Sequence, residues 1–174
     1  MSGPDRGQPG FEEFVAARRQ ALLRTAYLLT GSHEDAEDLV QVALVKAVPH
    51  WSRIADHPEP YVRKILARES VSRWRRRRWR ELTTDELPDR ATTPGLDHGD
   101  RLALRDALAL LAPRQRAVIV LRYFDDLTER QAAEALGIGV GTVKSQTRDA
   151  LARLRQLVPD VDETPDSTPT PLTR

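Results

Sequence analysis

Two small all-α domains joined by a flexible linker is the fold class that this 174-residue sequence predicts. Three observations carry the prediction. Apolar residues recur at intervals of three and four along most of the chain, and no segment alternates as a strand would. Aromatics make up only 5% and the apolar total of 40% is rich in Ala, Leu and Val, a composition that suits helices better than sheets. Between the periodic halves lies a stretch with Pro88, Pro94, Gly95 and Gly99 and no periodicity. The expected divisions are a loose tail over 1–10, a helical domain over 11–80, an acidic extended linker over 81–99, a second helical domain over 100–158 and a Pro/Thr/Asp tail over 159–174.

The first helix runs from Phe11 to about Leu29 on a stripe of Phe11, Phe14, Val15, Leu22, Leu23, Ala26 and Tyr27, and Thr30-Gly31 closes it. Ser32 with Asp35 three residues on caps a second helix, whose early acids Glu34, Asp35, Glu37 and Asp38 favour its dipole. Its stripe of Ala36, Leu39, Val40, Ala43, Leu44 and Ala47 ends before Pro49. Residues 50–60 contain two prolines and read as a loop, after which a long helix runs from Tyr61 to about Trp79. In the second half a helix spans about Asp100 to Leu111, and Pro113 opens another from Arg114 to Phe124.

Leu127 to Arg155 reads as a helix-turn-helix. Thr128 and Gln131 form a capping box, and Ala132, Ala133 and Leu136 give the first helix a narrow apolar side. Gly137-Ile138-Gly139 makes the turn, with Ile138 as its plug. Val140, Val143, Ala150, Leu151 and Leu154 share one stripe of the second helix, leaving Lys144, Ser145, Gln146 and Arg148 on the other side, where they can reach base edges and phosphates. The bland reading is an ordinary helical hairpin with a solvated face.

The net charge of +1 hides a strong asymmetry. Arg63, Lys64, Arg68, Arg73, Arg75, Arg76, Arg77, Arg78 and Arg80 stand together with Glu69 as the only acid among them, a block suited to phosphates. Glu81, Asp85, Glu86, Asp89, Asp97 and Asp100 follow directly. Trp74 and Trp79 interleave with the arginines and can act as stacking platforms for unpaired bases, or else sit in the core. Cysteine is absent, which excludes disulfides, thiolate metal sites and cysteine nucleophiles. The four histidines are scattered, and no metalloprotease or phosphate-cradling motif occurs, so no enzyme, cofactor or metal is expected. No signal peptide or membrane-spanning run is visible, and a cytoplasmic location without membrane contact is expected.

Two segments in this order resemble the extracytoplasmic-function (ECF) group of sigma-70 family sigma factors, the promoter-recognition subunits of bacterial RNA polymerase. DAEDLVQVALVKA, Asp35 to Ala47, resembles the region 2 helix that docks on the clamp helices of the largest polymerase subunit. LLAPRQRAVIVLRYFDDLTERQAAEALGIGVGTVKSQTRDALARLR, Leu110 to Arg155, resembles region 4 nearly end to end. YVRKILARESVSRWRRRRW and GTVKSQT point to the actinobacterial SigE-like subgroup. The resemblance implies that Thr142, Lys144, Ser145, Gln146 and Arg148 face the minus-35 element, with Arg130 and Arg114 as phosphate anchors. It implies minus-10 contacts for Arg63, Lys64, Arg68, Arg73, Trp74, Arg75, Arg76, Arg77 and Trp79, a base-capturing loop over Ser52 to Glu59, and polymerase docking by Asp38, Leu39, Gln41 and Leu44. The implied partners are core RNA polymerase, through its clamp helices and flap region, promoter DNA, and an anti-sigma protein of the kind that holds many relatives inactive. The linker is either a thread through the polymerase cleft or a plain tether. Three positions depart from the family pattern: Arg68 replaces a common Asn, Val42 a frequent acid and Asp149 a usual Arg. A helix-turn-helix regulator that does not act as a sigma subunit is the alternative.

Overall fold

The computed structural model describes residues 10–83 and 99–157, without the side chains of 80–83, 99–103 and 157. The expected tails and nearly all of the expected linker lie outside the described residues. Within them the architecture is helical throughout: α1 (Phe11–Thr30), α2 (His33–Ala47), a 3-10 turn (Val48–His50), α3 (Trp51–Ile54), α4 (Pro58–Thr83), α5 (Gly99–Ala109), α6 (Pro113–Ile119), a π-turn (Val120–Phe124), α7 (Glu129–Leu136) and α8 (Val140–Leu157).

Helices α1, α2 and α4 form the first unit around Leu22, Leu39 and Leu66, each fully buried. Burying each of these side chains contributes about 1.5–3 kcal/mol before conformational entropy is counted. The helix limits follow local chemistry. Gly31 adopts φ 79° to end α1, and the Ser32 hydroxyl accepts from the Asp35 amide at 3.4 Å to start α2.

Residues 50–60 are helical rather than an open loop. Pro49 sits in the first turn of the 3-10 segment, while Pro58 and Pro60 sit in the first turn of α4, positions where a missing N–H costs nothing. Trp51 is buried there against Phe11 and Phe14, with ring centroids 5.0 and 5.5 Å away. Helix α4 also extends past the basic block to Thr83, into what composition alone assigns to the linker.

The second unit packs α5 to α8 about Leu108, Leu121, Val118 and Val143. The helix expected over 114–124 is α-helical only to Ile119, and its last turn widens to π geometry before Asp126 turns the chain at φ 53°. Of the stripe expected on α8, Val143 and Ala150 are buried and Leu151 and Leu154 half-buried, whereas Val140 is exposed at the helix start.

The two units share a seam. Ala67 of α4 is fully buried in a cluster with Val118, Leu121, Ala132, Ala133, Ala135 and Val143 of the second unit. Helix α4 thus packs on α6 and α7, and α1 packs on α5.

Candidate nucleic-acid interface

The helix-turn-helix expected from the sequence is the α7-turn-α8 hairpin. Thr128 caps α7 through reciprocal bonds: its hydroxyl accepts from the Gln131 amide at 3.2 Å, and the Gln131 side chain accepts from the Thr128 amide at 2.8 Å. Gly137 takes φ 68°, where a side chain would be strained, and its amide closes α7 on the Ala133 carbonyl. Ile138 packs into the turn, and Val143 and Ala150 pin α8 below it.

This anchoring leaves Thr142, Lys144 and Arg148 exposed and Ser145 and Gln146 half-exposed along the outer side of α8. Lys144 lies 3.8 Å from Glu129, and Arg148 lies 3.4 Å from Asp149, both as solvated surface pairs. Asp149 therefore already neutralises part of the charge beside Arg148. Arg130, 82% exposed, pairs with Glu134 one turn on at 3.8 Å, and Arg114 is exposed on the adjoining α6.

The second cationic surface lies along the C-terminal half of α4. Trp74 is 42% and Trp79 68% exposed, so neither ring is enclosed in the core. The Arg78 guanidinium sits 5.3 Å from the centroid of the Trp74 ring. Arg76 reaches Glu69 at 3.5 Å and Arg77 reaches Asp35 at 3.4 Å, contacts that orient these side chains without removing them from solvent. Arg73 is half-buried and Arg75 exposed.

Three further cations assigned to this surface by sequence lie lower on α4. Lys64 is half-buried. Arg63 is held between Glu59 at 2.5 Å and Asp125 of the second unit at 3.7 Å. Arg68 reaches across the seam and donates from Nε to the Ala135 carbonyl at 2.7 Å and from a terminal nitrogen to the Glu134 carbonyl at 3.0 Å. These carbonyls end α7, where the helix dipole favours a cation. On α2, Asp38 and Gln41 are exposed and Leu44 is half-buried, while Leu39, expected from the sequence among the docking residues, is fully enclosed in the core and presents no surface to a partner.

Sequence reasoning misses the polar seam. Thr25 is buried, and its hydroxyl donates to Asp125 across the seam. Arg116 donates to the carbonyls of Leu108, Ala109 and Leu111 at the end of α5 and to Leu29 at the end of α1. Burial lowers its pKa from the ordinary arginine value. The one signal in the sequence is Thr25 itself, a polar residue on the stripe of Leu22, Ala26 and Leu29. The seam leaves an open cleft of about 340 Å³ lined by Arg68, Arg75, Arg114, Ser72, Val71 and Ile138, among others. Among the described residues, no group of three or more His, Asp or Glu could hold a metal ion, and no helix is long and apolar enough to cross a membrane.

The chain is similar to known proteins over both units. The family described as "Sigma-70 region 2" matches residues 14–80 and that described as "Sigma-70, region 4" matches residues 101–154. The RNA polymerase sigma-E factor of Streptomyces avermitilis is 42% identical over 84% of this chain and 83% of its own length. The ECF RNA polymerase sigma factor SigL of Mycobacterium tuberculosis is 35% identical over 77% of this chain and 80% of its own. Among solved structures, the sigma factor RpoE of Bartonella quintana, in complex with the anti-sigma factor NepR, superposes with a TM-score of 0.68 at 29% identity, covering 87% of this chain and 98% of that one. The helix-turn-helix, the tryptophan-arginine helix and these two matches in one order lead to one assignment: the chain belongs to the ECF group of the sigma-70 family of RNA polymerase sigma factors, and is SigE-like.

Proposed function

We propose that this sigma factor binds core RNA polymerase through the α2 face of Asp38, Gln41 and Leu44, with Leu39 holding that face in shape, and directs initiation at promoters read by its two units. Residues 100–158 form the minus-35 module and residues 11–80 the minus-10 module. In the first, α8 enters the major groove with Lys144, Ser145 and Arg148 at base edges and Thr142 and Gln146 beside them. Arg130 and Arg114 hold phosphates and so fix register without reading sequence. In the second, Trp74 and Trp79 offer faces to unpaired bases while the α4 arginines follow the backbone. Each stacked base gains roughly 1–3 kcal/mol, which offsets part of the cost of opening the duplex.

The observation that carries this reading is the coexistence, in one chain, of an exposed duplex-reading face on α8 and an exposed Trp74/Trp79 face among arginines on α4. A regulator that only binds duplex DNA has no need of the second. The factor itself makes and breaks no bonds, nucleotidyl transfer being the work of the polymerase, and it operates in the cytoplasm where that enzyme is. An anti-sigma protein belongs among the proposed partners, supported by the likeness to RpoE.

Run-off transcription with core polymerase over a promoter library tests the reading. Initiation from templates sharing a pair of short boxes, only when this chain is added, is the expected result. Unchanged template usage would overturn it.

A further inference from the structure

We propose that the open cleft bordered by α4, α6 and the turn after α7 is a binding site for a compact organic phosphate, a phosphate monoester on a partly apolar body such as a nucleotide. The promoter reading requires no such ligand, and the inference goes beyond it.

Helical spacing builds one wall of the site. Arg68, Val71, Ser72 and Arg75 fall three and four residues apart and share one face of α4. Arg114 of α6 and the turn at Gly137 complete the lining. Three guanidinium groups and a hydroxyl thus border a space of about 340 Å³, and among the described residues that line it none is acidic. That volume stands at the lower end of the range for small-molecule sites, roughly 300–1,000 Å³, and suits a compact ligand.

The cationic donors are held ready. Arg68 spends Nε and one terminal nitrogen on the Ala135 and Glu134 carbonyls, which leaves its other terminal nitrogen without a partner among the described residues. A Cβ at Gly137 would lie 3.1 Å from the same guanidinium and push it aside, so the glycine keeps this wall in place. Arg76 and Arg77 are each paired with a carboxylate, whereas Arg75 and Arg114 have no hydrogen bond or ion pair among the described residues. Guanidinium groups that are fixed or unpaired in this way take phosphate oxygens through charge-assisted hydrogen bonds at a small ordering cost. Val71, Leu136 and Ile138, all half-buried, add an apolar floor that an inorganic anion cannot use.

Arg75 and Arg114 belong to the two surfaces assigned above to DNA, so a bound phosphate withdraws a cation from each. That consequence rests on the promoter reading, whereas binding itself does not.

Titration calorimetry of the full chain with AMP tests the site, at about 0.15 M salt to screen diffuse attraction. One-to-one binding is expected, with inorganic phosphate about ten-fold weaker and adenosine undetected. Arg75→Ala and Arg114→Ala, both at exposed positions that the fold does not need, should each weaken AMP about ten-fold. Arg77→Ala removes the same charge from the same helix outside the cleft and should leave AMP affinity unchanged. Ser72→Phe fills the space with all three arginines in place and should abolish binding. No AMP binding, equal affinity for AMP and inorganic phosphate, or an equal loss in Arg77→Ala would overturn the site. Saturating AMP should weaken binding of duplex DNA, and an unchanged DNA affinity would overturn the competition. A chain that binds no DNA at all would remove the promoter reading, while the calorimetry would still decide the cleft.

Discussion

The Thr25 hydroxyl donates to a carboxylate oxygen of Asp125 at 2.9 Å, joining residues 100 positions apart. The other Asp125 oxygen is buried with no hydrogen-bond partner among the described residues. Burial therefore raises the Asp125 pKa from its ordinary value of 3.8, against the opposing pull of Arg63 and Thr25 and with small upward contributions from Glu59 and Asp126. The carboxyl binds its proton more readily folded than unfolded. Its contribution to stability is complete below 3.8 and falls as pH climbs through the raised folded value. Asp125→Asn keeps an acceptor for Thr25 without the charge, so its stability relative to the parent should improve as pH is raised from about 4 to neutrality. Urea midpoints across that range measure it, and a pH-independent difference would contradict the burial argument.

Arg116 and Arg114 are two residues apart and differ in consequence. Arg116→Met leaves carbonyls of Leu29, Leu108, Ala109 and Leu111 without their shared donor. A loss of about 2–4 kcal/mol is expected, because stranded buried acceptors carry their full desolvation cost. Arg114→Ala, at an exposed site, should change stability by less than about 0.5 kcal/mol and act on DNA affinity instead. Chemical denaturation of both variants separates framework from interface.

Trp51 and Trp74 divide in the same way. Trp51→Ala removes a buried ring stacked edge-on against Phe11 and should cost about 3–5 kcal/mol of stability. Trp74→Ala should leave the melting curve close to that of the parent and weaken binding of a single-stranded minus-10 oligonucleotide by the holoenzyme ten- to a hundred-fold, about 1–3 kcal/mol. Equal single-strand affinity in the Trp74 variant would remove α4 as the strand-binding surface.

Base readout and phosphate anchoring have distinct signatures on the second unit. Arg148→Ala should relax preference at one base pair by about 1–3 kcal/mol. Arg130→Ala should weaken all sequences alike and lower the slope of log affinity against log salt by about one. Competition binding across a minus-35 library, repeated at several salt concentrations, assigns each residue.

Local signals make much of the fold legible. Ser32, Thr128, Gly31 and Gly137 mark helix ends through bonds made within a few residues, so their capping roles can be read without knowing the tertiary packing. The turn from α7 to α8 and the exposed face of α8 follow from the same short-range logic. Residues 50–60 mislead because proline breaks a helix interior but starts one well, and the sequence does not say which turn it occupies. Val140 fits the α8 stripe by spacing yet is exposed, because spacing alone does not separate a buried position from one at the helix mouth. The seam is illegible for a deeper reason. Arg63 and Arg68 read as phosphate cations and Arg116 draws no reading at all, and only the approach of a second unit turns such side chains toward carbonyls and a buried carboxylate.

Association with bacterial core RNA polymerase tests the central claim most directly. The purified chain, mixed with core enzyme at low salt, should form a one-to-one complex that opens promoter DNA, with Asp38→Ala and Gln41→Ala together weakening assembly. A chain that remains separate from core polymerase under those conditions would contradict the account and leave only a helical protein that binds duplex DNA.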